Sequence, residues 1–252
     1  MIPNPIVKVL STLSCHEVRH LLMGGQACVF YGAAEFSRDC DIVLLSDHAN
    51  FARLQSALDQ LQSHCIAVPP FEIEFLQRGH SVHFRCEHPE AVGMRIDVMT
   101  KMRGVDDFDQ LWQRRTALAD ADGTTYELLG IHDLVKAKKT QRDKDWPMIR
   151  RLVEAHYAEY KNDATAEQIE FWLLESRTPS ILIEVAANHT YQAHAVAKQR
   201  PLLAEAFAAS KSAMAQELLA EQSAEQEADK AYWAPLKREL ETLRRQMRRK
   251  PG

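Results

Sequence analysis

Three aspartates stand where their spacing has chemical meaning. Asp39 and Asp41 lie two apart in Asp39-Cys40-Asp41-Ile42-Val43-Leu44-Leu45, a run that reads as a buried strand. Residues two apart on a strand project to the same side. Both carboxylates then share one face, and Cys40, Ile42 and Leu44 take the other. Two such carboxylates repel each other, and a protein keeps the pair chiefly where a divalent cation sits between them. A third acid, Asp97, interrupts the apolar run Arg95-Ile96-Asp97-Val98-Met99. An unused acid there is costly. If the two strands are neighbours, three carboxylates converge. That is enough for a two-metal site, in which ions about 4 Å apart clamp the attacking and leaving oxygens of a phosphoryl displacement. Mg2+ is the natural hard cation for carboxylate and phosphate oxygens, two ions being expected and Mn2+ the substitute.

The elements that must position these acids follow from the flanking sequence. Gly24-Gly25 precedes Asp39 by thirteen intervening residues. A double glycine lets backbone approach a phosphate closely, and its N–H groups, opening a short helix over residues 26–31, would face an anion. Residues 16–23 lead into that turn as a short helix or strand. The apolar spacing of Phe51, Leu54, Ala57, Leu58 and Leu61 predicts a helix within residues 46–64. Residues 71–77 and 81–86 alternate around Arg78-Gly79-His80 and predict a β-hairpin. There His80 and His83 would face opposite sides, so no zinc site is expected. Phe71, Phe75 and Phe84 read as packing residues. A short helix is expected over 106–115, a turn at 123–126, and a long helix over 132–160 with a break at Pro147. Within it Lys138, Arg142 and Asp145 fall at i, i+4 and i+7 and share a face, which is an exposed, salt-bridged one or, if it meets the cleft, one from which the two cations could neutralise a triphosphate.

Composition fits this picture. The chain has 252 residues, of which 46% are apolar and 26% charged, and its net charge is −4. These values exclude a disordered or disulfide-scaffold protein and give no basic character that would announce nucleic acid. Residues 1–130 carry 11 Lys and Arg against 17 Asp and Glu, so an acidic first half that binds a polyanion needs metal ions or local cations. Eight of nine glycines lie between Gly24 and Gly130, so the first half is rich in turns. Five cysteines without a CxxC pair read as reduced thiols of a cytoplasmic protein. No membrane span is expected.

Met23-Gly24-Gly25-Gln26-Ala27, followed by Ser37-Arg38-Asp39-Cys40-Asp41-Ile42, resembles the glycine turn and DxD signature of the DNA polymerase β-like nucleotidyltransferase superfamily. The segment from Asp133 to Asp145 is similar to the helix that follows the core in its minimal and abortive-infection-type branch. The resemblance covers roughly residues 14–153. It implies an α+β fold: a small mixed sheet flanked by helices, then an all-α C-terminal region. It implies that Asp39 and Asp41 are metal ligands, and that Asp97 is the third carboxylate, which also activates the acceptor hydroxyl. Gly24 and Gly25 would contact the nucleoside triphosphate. Arg38 replaces a frequent threonine or serine, and would bind phosphate or pair with a local acid.

The expected domains are a catalytic one over residues 1–157 and a helical one over 158–252. In the second, helices are expected over 164–175, 179–198 and 201–249. Residues 237–250 hold seven Lys and Arg against two Glu. That tail is a solvated helix end or a contact for RNA or another acidic partner, and the helical region could bind a protein partner or a second copy. The implied activity moves a nucleoside monophosphate from an NTP to a hydroxyl of RNA, protein or a small molecule and releases pyrophosphate. The alternative is a non-catalytic nucleotide- or partner-binding module of a toxin–antitoxin-type system.

Overall fold

The computed structural model describes residues 4–119 and 123–249. Its architecture is mixed α and β, with one seven-stranded sheet, interspersed helices and a helical C-terminal region. The chain groups into two compact units. One holds the residues up to Phe30, Ala34–Ala137 and the chain from Trp233 on. The other holds Tyr31–Ala33 and Lys138–Tyr232. The division expected after residue 157 falls inside a continuous helix, Trp146–Tyr160.

The first unit contains the whole sheet, in the order β3-β4-β5-β2-β1-β7-β6. The strands are β1 (His20–Met23), β2 (Asp39–Leu44), β3 (Ser63–Cys65), β4 (Val82–Cys86), β5 (Arg95–Met99), β6 (Thr116–Ala119) and β7 (Thr125–Leu128). The pairs β2–β5 and β1–β7 are parallel and the others antiparallel. Cys40, Ile42, Leu44, Ile96, Val98, Val82 and Phe84 are all buried. Their alternation sets the core face, as the pleat requires.

The helices of this unit are α1 (Pro5–Cys15), α2 (Gly24–Phe30), α3 (His48–Gln60), α4 (Ile73–Arg78), α5 (Phe108–Gln113) and α6 (Ile131–Ala137). Asp47 caps α3 by accepting from Asn50 N at 2.6 Å. The fully buried Asn50 side chain bonds Arg19 N, Arg19 O and Leu45 O, tying α3 to the entry of β1 and the end of β2. One expectation is overturned here: residues 71–77 are not a strand of a hairpin. Ile73 and Leu76, three apart, bury one side of α4, and Gly79 at φ +103° closes it in the left-handed conformation. Strand β4 pairs with β3 and β5 instead, and His80 lies outside any strand.

The second unit is helical. The helices are α7 (Trp146–Tyr160), α8 (Ala166–Glu175), α9 (Pro179–Asn188), α10 (Thr190–Ala197), α11 (Ala204–Phe207) and α12 (Lys211–Arg249), the last running on into the first unit. The long helix expected over 132–160 is broken at residues 138–142, not at Pro147. Pro147 sits in the first turn of α7, where its missing N–H costs nothing. The capping box of Thr165 and Gln168 starts α8.

This unit is pinned by buried charge. Arg200, 4% exposed, donates to Leu173 O, Ser176 O and both oxygens of Glu221. Arg177 donates to the same glutamate and to Leu218 O. Burial pushes the Glu221 carboxyl up, but the Arg200 and Arg177 guanidiniums outweigh it and hold it below the usual range. A depressed folded-state pKa adds stability that is full above the unfolded value, about 4.3 for Glu, and is lost as pH falls through the folded value. Tryptophan fluorescence should therefore report the second unit, through Trp146 and Trp172, loosening only below pH ~4. In Glu221→Gln, which has no charge to titrate, that acid transition should shrink.

Candidate functional site

The register of the sheet decides which side chains meet. Asp41 is the partner of Asp97 across the parallel β2–β5 pair, and Asp39 is the partner of Arg95. On the other side of β5, His83 is the partner of Asp97 and Arg85 of Arg95. Asp39, Asp41, Asp97, His83 and Arg95 thus lie on one face, opposite the apolar core face. Strands β2 and β5 are neighbours, which is the condition the sequence sets for the three carboxylates to come together.

Asp41 is seated against the double glycine. A Cβ built on Gly24 would lie 1.9 Å from Asp41 Oδ2, and Gly24 has φ +68°. Gly25 faces Ser37, whose Oγ would be 2.7 Å from an added Cβ. Ser37 Oγ in turn donates to Asp39 O at 3.3 Å. Both glycines therefore pack where the acids are displayed. Gly24→Ala should cost about 3 kcal/mol, from left-handed strain and overpacking together. Gly32 has φ +70° with open space around it, so Gly32→Ala should cost only about 1–2 kcal/mol of strain. Urea denaturation of the two variants checks this, and equal losses would contradict the packing of Asp41 on Gly24.

Two side chains hold Asp97. Its Oδ1 accepts from Arg95 Nε at 2.7 Å and contacts His83 Nδ1 at 2.9 Å. Arg95 Nη2 lies 3.1 Å from the same ring nitrogen. Burial raises the Asp97 carboxyl, but the bonds to His83 and Arg95 outweigh it and hold the carboxyl below its ordinary value. The Arg95 guanidinium is held charged chiefly by its bond to Asp97, with further support from Asp39 and Asp41. Beneath the acids, burial and then the Asp41 charge push the Cys40 thiol well up, so it stays neutral. Among the described residues Cys15, Cys28, Cys40, Cys65 and Cys86 form no disulfide.

The remaining expected residues are placed as follows. Arg38 is exposed on the loop before β2. Lys138 and Arg142 belong to the second unit and do not share a helical face, because the helix ends at Ala137. They meet all the same at Asp145, which is 4% exposed. Its carboxylate accepts from Thr140 Oγ1 at 2.6 Å and Arg142 Nε at 2.7 Å, with Lys138 Nζ at 3.4 Å. Burial raises the Asp145 carboxyl, and Lys138, Thr140 and Arg142 bring it below the ordinary range.

Sequence reasoning missed His83 and Arg95. The signal was present in His83-Phe84-Arg85 and Arg95-Ile96-Asp97, two polar alternations on strands that turn out to be neighbours. It was hidden by pairing β4 with the wrong segment.

The donor set is of the kind that divalent cations take. Asp39, Asp41 and Asp97 supply hard oxygens on one face, and Asp41 packs on Gly24, so their type and shared face suit such an ion. They are not already drawn together: among the described residues no group of three or more His, Cys, Asp or Glu surrounds one ion-sized point. A cavity of about 770 Å3 in the first unit is lined instead by side chains that include Cys65, Phe71 and Phe75 and by the end of α12 with Met247, and none of the three aspartates lines it. No protein-family model matches the chain, and no curated protein matches it. Among the described residues no helix is long and apolar enough to cross a membrane.

Proposed function

We propose that the first unit is a metal-dependent nucleotidyltransferase of the polymerase β-like kind. It moves a nucleoside monophosphate from an NTP to a hydroxyl acceptor and releases pyrophosphate. The observation that carries this reading is the register of Asp41 with Asp97, with Asp39 on the same face and Asp41 packed on Gly24. The reading rests on the first unit alone.

Asp39, Asp41 and Asp97 would hold Mg2+, or Mn2+ in its place. When bound, the cation supplies positive charge at the phosphate oxygens and orients them. The chain's own residues do the rest. Gly24 and Gly25 keep side chains out of the way where the triphosphate approaches. Asp97 accepts the proton of the attacking hydroxyl, whose oxygen bonds to the α-phosphorus as the bond to the β-phosphate bridge oxygen breaks. Arg95 balances part of the negative charge of three neighbouring carboxylates.

One observation favours a second reading. One oxygen of Asp97 is already occupied by Arg95 and His83, which suits a non-catalytic module that binds nucleotide or a partner, as in a toxin–antitoxin pair. Calorimetry with each NTP and Mg2+, followed by a turnover assay with RNA, protein and small-molecule hydroxyl acceptors, separates the two. The transferase binds and turns over, whereas the module binds without turnover. Absence of both contradicts both readings.

A further inference from the structure

The two contacts to the Asp97 carboxylate fall on the same atom. Arg95 Nε, at 2.7 Å, and His83 Nδ1, at 2.9 Å, both meet Oδ1. Among the described residues nothing bonds Oδ2, and Oδ2 is not one of the sealed, unpartnered polar atoms. The Asp97 side chain is 12% exposed, so this second oxygen keeps a path to solvent. The anchors come from different places. Arg95 lies on the aspartate's own strand, two residues away. His83 lies across the β4–β5 pair, directly opposite. A carboxylate bonded by one oxygen from two directions cannot rotate about its χ2 without losing both bonds.

We propose that His83 is the positioning residue of this site. With Arg95 it fixes Oδ1 of Asp97, so that Oδ2 is the single oxygen presented to the cation and the acceptor hydroxyl. The proposal rests on the nucleotidyltransferase reading and adds a division of labour within one carboxylate. Partners of this kind orient metal-ligating groups, and their loss typically costs 10–100-fold in metal affinity or activity. His83 is also the contact that sequence spacing cannot supply, because it depends on the β4–β5 register. With Nδ1 protonated, His83 donates to Asp97 Oδ1, and the 3.1 Å approach of Arg95 Nη2 to that nitrogen is then a contact and not a hydrogen bond; an asparagine amide nitrogen can take the same position.

The test uses the full chain and two substitutions, His83→Ala and His83→Asn, with folding checked by circular dichroism. Two quantities are read: Mn2+ affinity by electron paramagnetic resonance, and kcat and KM for NTP. His83→Ala should weaken Mn2+ binding about tenfold and lower kcat about 10–100-fold, while KM for NTP moves less than about threefold. His83→Asn, which keeps the donor, should restore both to within about threefold of the parent. A purely structural role predicts a lowered melting temperature without that split or that rescue. If His83→Ala binds Mn2+ and turns over like the parent, the positioning role fails and the transferase reading stands. If the parent binds Mn2+ without transferring, the affinity series alone decides the positioning role and the transferase reading fails. If the parent does not bind Mn2+, both fail.

Discussion

Asp41→Asn and Asp39→Asn should each lower metal-dependent nucleotidyl transfer by about 10^3-fold or more, the several kcal/mol that a correctly held cation contributes to charge stabilisation. The loss should appear without unfolding. Asparagine keeps the shape of the carboxylate, so Asp41 can be replaced without opening its contact with Gly24. It also removes one charge from a face carrying three acids. In metal-free buffer both variants should therefore stay folded, with melting temperatures close to the parent's. Added Mg2+ should raise the parent's melting temperature by mass action and leave the variants' nearly unchanged. A fall in melting temperature equal to the fall in activity would instead mean that the aspartates hold the sheet together. Double substitution should cost little more than either single one, because the pair acts as one site.

The second large effect lies in the helical unit. Glu221→Ala should destabilise that unit by about 3 kcal/mol, the cost of leaving a buried charge uncompensated. Two guanidiniums, Arg177 and Arg200, depend on this one carboxylate, and their side chains are 8% and 4% exposed. Glu221 itself is 30% exposed, which places the expected value at the low end of the range for buried pairs. Glu221→Gln keeps acceptor capacity and should cost about 1–2 kcal/mol. Chemical denaturation followed by tryptophan fluorescence checks both values. A loss below about 0.5 kcal/mol for Glu221→Ala would mean that the bonds to Leu173 O, Ser176 O and Leu218 O hold the arginines by themselves.

The acids were legible in the sequence because a strand has only one periodicity. Asp39 and Asp41 had to share a face, and an acid between Ile96 and Val98 had to leave the core face. Which strands are neighbours is not a local property. The β2–β5 pairing was an inference from the chemistry, whereas the β4–β5 pairing, and with it His83, was lost because residues 71–77 alternate in composition yet form α4. There Glu72 and Glu74 are exposed while Ile73 and Leu76 are buried, a helical spacing too short to outvote the alternation. The opposite failure affected residues 132–160. Their helical composition concealed the break at 138–142, where Thr140, Arg142 and Lys138 converge on Asp145. Side chains that close a buried ion cluster can override helix propensity, and Pro147, in the first turn of α7, starts a helix where a proline inside one would break it. Helix α1 was missed for a related reason: Pro5 occupies its first turn and starts it.

The central claim is that this chain transfers the α-phosphorus of an NTP. Parallel reactions with α-labelled and γ-labelled NTP, Mg2+ and a mixture of RNA, protein and small-molecule acceptors test it most directly. The account predicts that the α-label enters an acceptor, that the γ-label leaves in pyrophosphate, and that Asp41→Asn abolishes both. Transfer of the γ-label to an acceptor, or equal α-labelling by the parent and Asp41→Asn, would contradict it.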